Sequence, residues 1–183
     1  MNGPEVDPAS SQLIRVRPAQ PDDLDTIVAY NAALALETEH KTLDAAVLRA
    51  GVVKAIADPG RCAYFVAEID GSAGPGLASG ARVSRIGGQT MVTYEWSDWR
   101  DGWFWWIQSV YVHPDHRRRG VFRALYRHVL ELARREPDVA GIRLYVESAN
   151  QRAQRTYRQL GLVPSGHLVY ETDWSAQAAR RDT

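Results

Sequence analysis

Several things are scarce in this sequence, and each scarcity removes a class of function. There is one cysteine, Cys62, so neither an internal disulfide nor a thiolate metal cage can form. That count agrees with a reducing, cytoplasmic setting. Cys62 stands just before the apolar run Ala63–Ala67, which reads as a buried thiol and not a nucleophile. Net charge is missing as well: 22 basic residues balance 22 acidic ones, so no whole-molecule field favours nucleic acid or an anionic membrane. Lysine is nearly absent, with only Lys41 and Lys54, which leaves arginine to make the cationic contacts. No apolar run is long enough to span a bilayer. The segment Met1–Ser11 lacks a basic stretch followed by an apolar core, so it does not read as a signal peptide. A Gly-Lys-Ser/Thr phosphate loop is absent, which argues against ATP hydrolysis. No Gly-x-Ser-x-Gly elbow occurs, which argues against an α/β-hydrolase. His113, Asp115 and His116 surround a proline turn with no further clustered ligand, so no metal is expected.

What remains is an ordinary soluble composition, 45% hydrophobic and 24% charged over 183 residues, enough for one domain with a real core. Residues 1–11 and 175–183 read as polar tails around a single domain at 12–174. Leu13–Arg17 alternates as a short strand. Pro21-Asp22-Asp23 opens a helix to about Leu36, because proline and carboxylates suit a helix start. Glu37–His40 reads as a polar linker, and a second helix spans 43–57. Ala63–Ile69 is a strand, and Gly71–Gly76 a flexible connection. Leu77–Ile86 is ambiguous and broken by Gly87-Gly88. Strands follow at Gln89–Trp96 and Trp103–Val112. The second is so apolar that burial on both faces is expected. A helix spans 120–135, a strand 142–146, a helix 150–160, and a last strand Val169–Trp174. The unit from Trp103 to Val146 is a βαβ crossover, so its two strands should be parallel.

The chemistry concentrates where the apolar strand meets the helix, at Val110-Tyr111-Val112-His113-Pro114-Asp115-His116-Arg117-Arg118-Arg119-Gly120-Val121-Phe122-Arg123. Backbone N–H groups at a helix start are unsatisfied and, with the helix dipole, make an anion site. Gly120 permits close approach of a phosphate, and Arg117, Arg118, Arg119 and Arg123 supply charge-assisted donors. This segment resembles the coenzyme A pyrophosphate signature of the GNAT (GCN5-related) N-acetyltransferases: Arg or Gln, two residues, Gly, one residue, Gly or Ala. Arg117 and Gly120 match. Phe122 replaces the small sixth residue, and Arg123 follows it. A second signature resembles the family at Asn150, Ala153, Tyr157 and Gly161, with Leu162 at an aromatic place.

The resemblance implies an α/β (α+β) fold with a mixed, mostly antiparallel central sheet, one parallel βαβ pair and helices on both faces. It implies acetyl-CoA as co-substrate and an amine on a small molecule or peptide as acceptor. The backbone of Val110, Tyr111 and Val112 would bind the pantetheine arm, while Arg117–Arg123, Asn150, Ala153 and Tyr157 would line the coenzyme site. Tyr157 matches the position that protonates the leaving thiolate. Glu95 is the first choice of base, on the expectation that burial beside the aromatic cluster raises its pKa. Glu37 and Glu39 lie in the region that shapes the acceptor site. They are alternatives, as is a water chain. Trp96 and Trp99, near a turn, are candidate walls of the acceptor pocket, and exposed tryptophans would suggest a homodimer contact. Two other readings are a non-catalytic acyl-CoA-binding or regulatory domain, and the same fold with another acyl donor.

Overall fold

A computed structural model describes residues 13–71 and 83–174. The expected tails, most of the Gly71–Gly76 connection, and residues 77–82 of the ambiguous stretch lie outside the described residues. The chain divides into two compact units, Met1–Tyr145 and Val146–Thr183.

The first unit is a five-stranded sheet in the order β1-β2-β3-β4-β5. The strands are β1 (Ile14–Pro18), β2 (Cys62–Gly71), β3 (Val83–Ser97), β4 (Gly102–Val112) and β5 (Val139–Leu144). The first three pairings are antiparallel and β4–β5 is parallel, the mixture the crossover logic requires. Three helices belong to this unit: α1 (Leu24–Glu39), α2 (Ala45–Ala57) and α3 (Val121–Arg135). Ile27 of α1 and Val52 and Ala55 of α2 form a buried cluster with Cys62, Tyr64 and Val66 of β2. The alternate residue Phe65 points to the other face and meets His128 of α3, with ring centroids 5.1 Å apart. Helices therefore cover both faces.

Local chemistry sets the boundaries. Pro21–Asp23 forms a single 3-10 turn before α1. The buried Asp23 accepts from the Gln20 amide at 2.7 Å and pairs with Arg17 at 2.6 Å. Asp44 caps α2 by accepting from the amides of Ala46 and Val47. The expected linker Glu37–His40 is instead mostly helix: α1 runs through Glu39 and stops at His40, whose φ is 55°. Glutamate is a good helix former, and an exposed polar last turn imitates a linker in sequence.

Gly87-Gly88 does not break the chain either. β3 continues through both residues, with Gly87 as the surplus residue of a bulge opposite Ala67 and Glu68 of β2. They are glycine because of packing. A Cβ on Gly87 would lie 2.0 Å from Ile69 Cδ1, and one on Gly88 would lie 2.8 Å from the Tyr111 carbonyl oxygen. The burial expected on both faces of β4 holds only in part. Ile107 and Tyr111 are buried, whereas Trp103 is 39% exposed at the hairpin end.

In the second unit, α4 (Gln151–Gln159) follows Asn150, whose side chain caps it by accepting from the Ala153 amide at 3.0 Å. Gly161, at φ 89°, closes it. The expected strand Val169–Trp174 does not form; Leu168, Val169, Tyr170 and Trp174 are exposed. Strand propensity describes fit to a partner surface, and without a partner it makes no strand. Among the described residues, no helix is long and apolar enough to cross a membrane.

Candidate active site

The site is built around β4. Its register against β3 passes from Thr90↔Val110 to Val92↔Ile107, so β4 carries one residue more than β3 between those pairs. The surplus lies at Gln108–Ser109, a β-bulge of the kind that interrupts pairing next to active sites. β5 pairs with β4 only from Trp103 to Ile107. From Gln108 to Val112, β4 has no parallel neighbour among the described residues. Val110, Tyr111 and Val112, the expected pantetheine contacts, lie in that stretch.

Beyond β4, the turn Pro114–His116 leads to Arg117 in extended conformation. Arg118 then adopts φ 67°, and Gly120 φ 88° with ψ 1°. A left-handed arginine is strained by about 1–2 kcal/mol. Such alternation turns successive amides toward a common point, an anion-binding concavity. Gly120 offers no capping side chain, and the Ala124 amide is the one that bonds the Gly120 carbonyl, at 2.9 Å. The amides of Val121, Phe122 and Arg123 thus precede the first helical bond. Arg118, Arg119 and Arg123 are exposed around this opening and Phe122 is half-buried, its ring 6.3 Å from that of Tyr126. The left-handed backbone, the first turn of α3 and the neighbouring arginines fit a diphosphate.

Arg117, the first residue of the signature, is engaged elsewhere. Its Nε donates to the Val112 carbonyl at 2.9 Å and its Nη2 to Glu37 at 2.6 Å. Its guanidinium lies 5.6 Å from the Tyr111 ring centroid. The Tyr111 hydroxyl donates to the same Glu37 carboxylate at 2.9 Å. The hydrogen bonds from Arg117 and Tyr111 hold the Glu37 carboxyl below its ordinary value. The structure thereby joins three expected site residues, Glu37, Tyr111 and Arg117. Glu39 is not brought to them; it pairs with Lys41 at the exposed end of α1.

Sequence reasoning did not find the polar chain beneath α1. Gln89 is fully buried. Its amide nitrogen donates to Asn31, and the Asn31 amide donates to the Tyr64 hydroxyl. Gln89, Met91, Thr93 and Glu95 follow one face of β3, the face on which α1 sits. At its far end, Glu95 accepts from the Trp106 indole N–H and from Arg143 Nη1, at 2.8 and 2.9 Å. Here the expected raised pKa is overturned. Burial pushes the Glu95 carboxyl up, but the hydrogen bonds from Trp106 and Arg143 outweigh it, and the net shift is downward. An ion-paired carboxylate of this kind is a weak base. Arg143 itself was missed; one arginine inside an apolar strand gives no periodic signal. Its guanidinium lies 3.7 Å from the Phe104 ring centroid.

Trp96 and Trp99 are not near the basic turn. Trp96 is 47% and Trp99 90% exposed. Trp96 packs edge-on against Trp103, with centroids 5.1 Å apart, on the sheet face opposite Glu95. From Trp103 to Val112 is nine steps along β4, roughly 30 Å at strand rise. In the second unit, burial raises the Tyr157 hydroxyl above its ordinary value. The Asn150 side chain serves α4 as its cap, and Ala153 supplies the capped amide. Among the described residues, no group of three or more metal-ligating side chains forms.

Comparison with known proteins bears on this geometry. The model of the Acetyltransferase (GNAT) family matches residues 30–162. Over 92 residues the chain is 35% identical to the L-amino acid N-acyltransferase MnaT of Escherichia coli (strain K12), a match taking in 47% of this chain and 51% of that protein. The chain thus spans about half the length of that curated relative. Among solved structures, a possible acetyltransferase from Clostridium difficile 630 is 39% identical, with a TM-score of 0.75 over 88% of this chain and 98% of that one. The aminoglycoside N-acetyltransferase AAC(6')-Iy, in complex with CoA, is similar in fold at 14% identity and TM-score 0.66, over 92% of this chain and 99% of that one.

Proposed function

This chain belongs to the GNAT acetyltransferase family, and from that premise we propose that it moves the acetyl group of acetyl-CoA to the primary amine of a small molecule by direct attack. The observation that carries the reading is the course of β4: paired with β5 as far as Ile107, bulged at Gln108–Ser109, then running without a parallel partner among the described residues to the left-handed turn before α3. In this reading the diphosphate rests on the amides of Val121–Arg123 with Arg118, Arg119 and Arg123 around it. The backbone edge of Val110–Val112, whose Val112 carbonyl already accepts from Arg117, takes the pantetheine amides through its remaining groups. Bound there, the coenzyme supplies an activated thioester. The acceptor nitrogen forms the new C–N bond, the C–S bond breaks, and the thiolate takes a proton.

Tyr157 is the proton donor by its place in the Asn150–Tyr157 motif, as a hydroxyl that is protonated at neutral pH. No carboxylate is assigned as base: Glu95 and Glu37 are both ion-paired and shifted down, so the ammonium proton leaves to water. The name of the Escherichia coli relative makes an amino acid the first acceptor to try.

The test is thiol release from acetyl-CoA across a panel of amines, with calorimetry of coenzyme binding alongside. Turnover with an amine, and a Tyr157→Phe variant that binds coenzyme normally but turns over on the order of a hundredfold more slowly, is the expected result. A wild-type chain that takes up no coenzyme would end the proposal.

A further inference from the structure

On the α1 side of the sheet, past the end of the buried polar chain, β3, β4 and β5 each contribute side chains to one small surface. Phe104 of β4 lies directly against Gly141 of β5, its register partner. A Cβ on Gly141 would come within 2.9 Å of that ring, so the bare glycine is what lets the ring lie down. Arg143 stacks on the ring at 3.7 Å and reaches to 5.6 Å from the Trp106 centroid. Tyr145 stacks on Trp106, centroids 4.4 Å apart. A second guanidinium, Arg100 from the hairpin turn, lies 5.2 Å from the Phe104 centroid.

Arg143 is fixed on two sides and open on another. Both of its bonds to Glu95 leave from Nη1, so the edge carrying Nη2 is not engaged by that carboxylate. Its side chain keeps 30% of its exposure. Glu95 sets the rotation of the guanidinium and Phe104 sets its plane. A planar fork held in this way matches a carboxylate in two-point contact. Among the described residues, Glu95 is the only carboxylate paired with either arginine. The Trp106–Arg143 pair lies two residues before the bulge, roughly 7 Å along β4. Val110, where the pantetheine arm is placed above, is four residues beyond Trp106, roughly 13 Å along β4, within the span of a small acceptor.

We infer that Arg143, oriented by Glu95 and Phe104, binds the carboxylate of the acceptor, and that the acceptor is therefore an amine bearing a carboxylate, such as a free α-amino acid, and not a polyamine or other polycation. Trp106 and Tyr145 then offer an apolar aromatic wall to its side chain. This rests on the transferase reading. It adds the substrate class and a specificity-determining residue.

The test uses the full chain saturated with CoA, so that no turnover is needed. Binding of the twenty common amino acids is measured by calorimetry. The tightest is then compared with its carboxamide and with the amine lacking the carboxyl group. The acid should bind on the order of tenfold or more tightly than either analogue. Arg143→Gln should remove that preference, weakening the acid while leaving the carboxamide and coenzyme affinities as they were. Arg143→Lys, which keeps the charge and loses the fork, should restore only part of it. With turnover followed by thiol release, the effect should fall on KM and not on kcat. Equal binding of acid and carboxamide by the wild type overturns the inference without any variant. An unchanged preference in a folded Arg143→Gln protein does so too. If the chain binds no coenzyme, the transferase reading fails instead, and the acceptor titrations without CoA still decide the carboxylate question.

Discussion

Arg117 and Arg143 each pair with a glutamate on the α1 side of the sheet, at 2.6 Å and 2.8 Å, and neither pair is deeply buried. Arg117 uses Nη2 on Glu37 and Nε on the Val112 carbonyl, so its donors tie α1 to the end of β4. Arg143 uses one nitrogen on Glu95 and lies flat on Phe104, so a whole edge is left over. Exposed pairs like these contribute at most about 1 kcal/mol to stability, and stability does not explain why the second is built with such care. Arg117 holds the signature position yet behaves as a strut, while Arg143, in no motif, has the geometry of a receptor.

The largest expected effect tests the basic turn. Gly120→Asp puts an anion at the open helix start and a side chain at φ 88°. Calorimetry should show coenzyme affinity falling on the order of a hundredfold. Arg118→Ala should cost about tenfold, and Arg117→Ala clearly less. An Arg117→Ala loss as large as that of Arg118→Ala would erase the distinction between strut and ligand.

The next effect is on the second pair alone. Gly141→Ala forces the Phe104 ring off the backbone and should destabilise the chain by about 1–2 kcal/mol, read from thermal melts. It should also weaken acceptor binding while coenzyme binding holds.

The smallest effect treats both pairs alike. Glu37 and Glu95 are held below their ordinary value of 4.5 in the folded chain. A depressed carboxyl contributes stability that is fully present above the unfolded value and lost as pH falls through the folded one. Melting temperature should therefore be flat at neutral pH and decline below about pH 4.5. Glu37→Gln and Glu95→Gln should each make that decline shallower. A decline already under way at pH 6 would mean that other groups dominate.

Much of this could be read from the sequence and part could not, for physical reasons. The strand–turn–helix unit from Trp103 to Arg135 was legible because proline, glycine and helical spacing are local signals. Gly87-Gly88 was misread because glycine marks turns and tight packing alike. Close neighbours such as Ile69, Tyr111 and Val121 tell the two apart. For Glu95 the sequence suggests a raised pKa, whereas its partners hold it down. Its partner Arg143 lies 48 residues away and is brought near only by the parallel pairing. Val169–Trp174 had the composition of a strand and lacked the partner that composition cannot supply.

The surplus residue in β4 does more than interrupt a ladder. Trp106 and Tyr111 are five positions apart, and in an unbroken strand an odd separation sends two side chains to opposite sides. Here Trp106 reaches Glu95 and Tyr111 reaches Glu37 on the same side. The bulge is a half-period phase slip, and it lets one continuous strand serve the acceptor surface and the α1 anchor together. Deleting Ser109 would put the two halves of β4 back in step and turn Tyr111 toward α3.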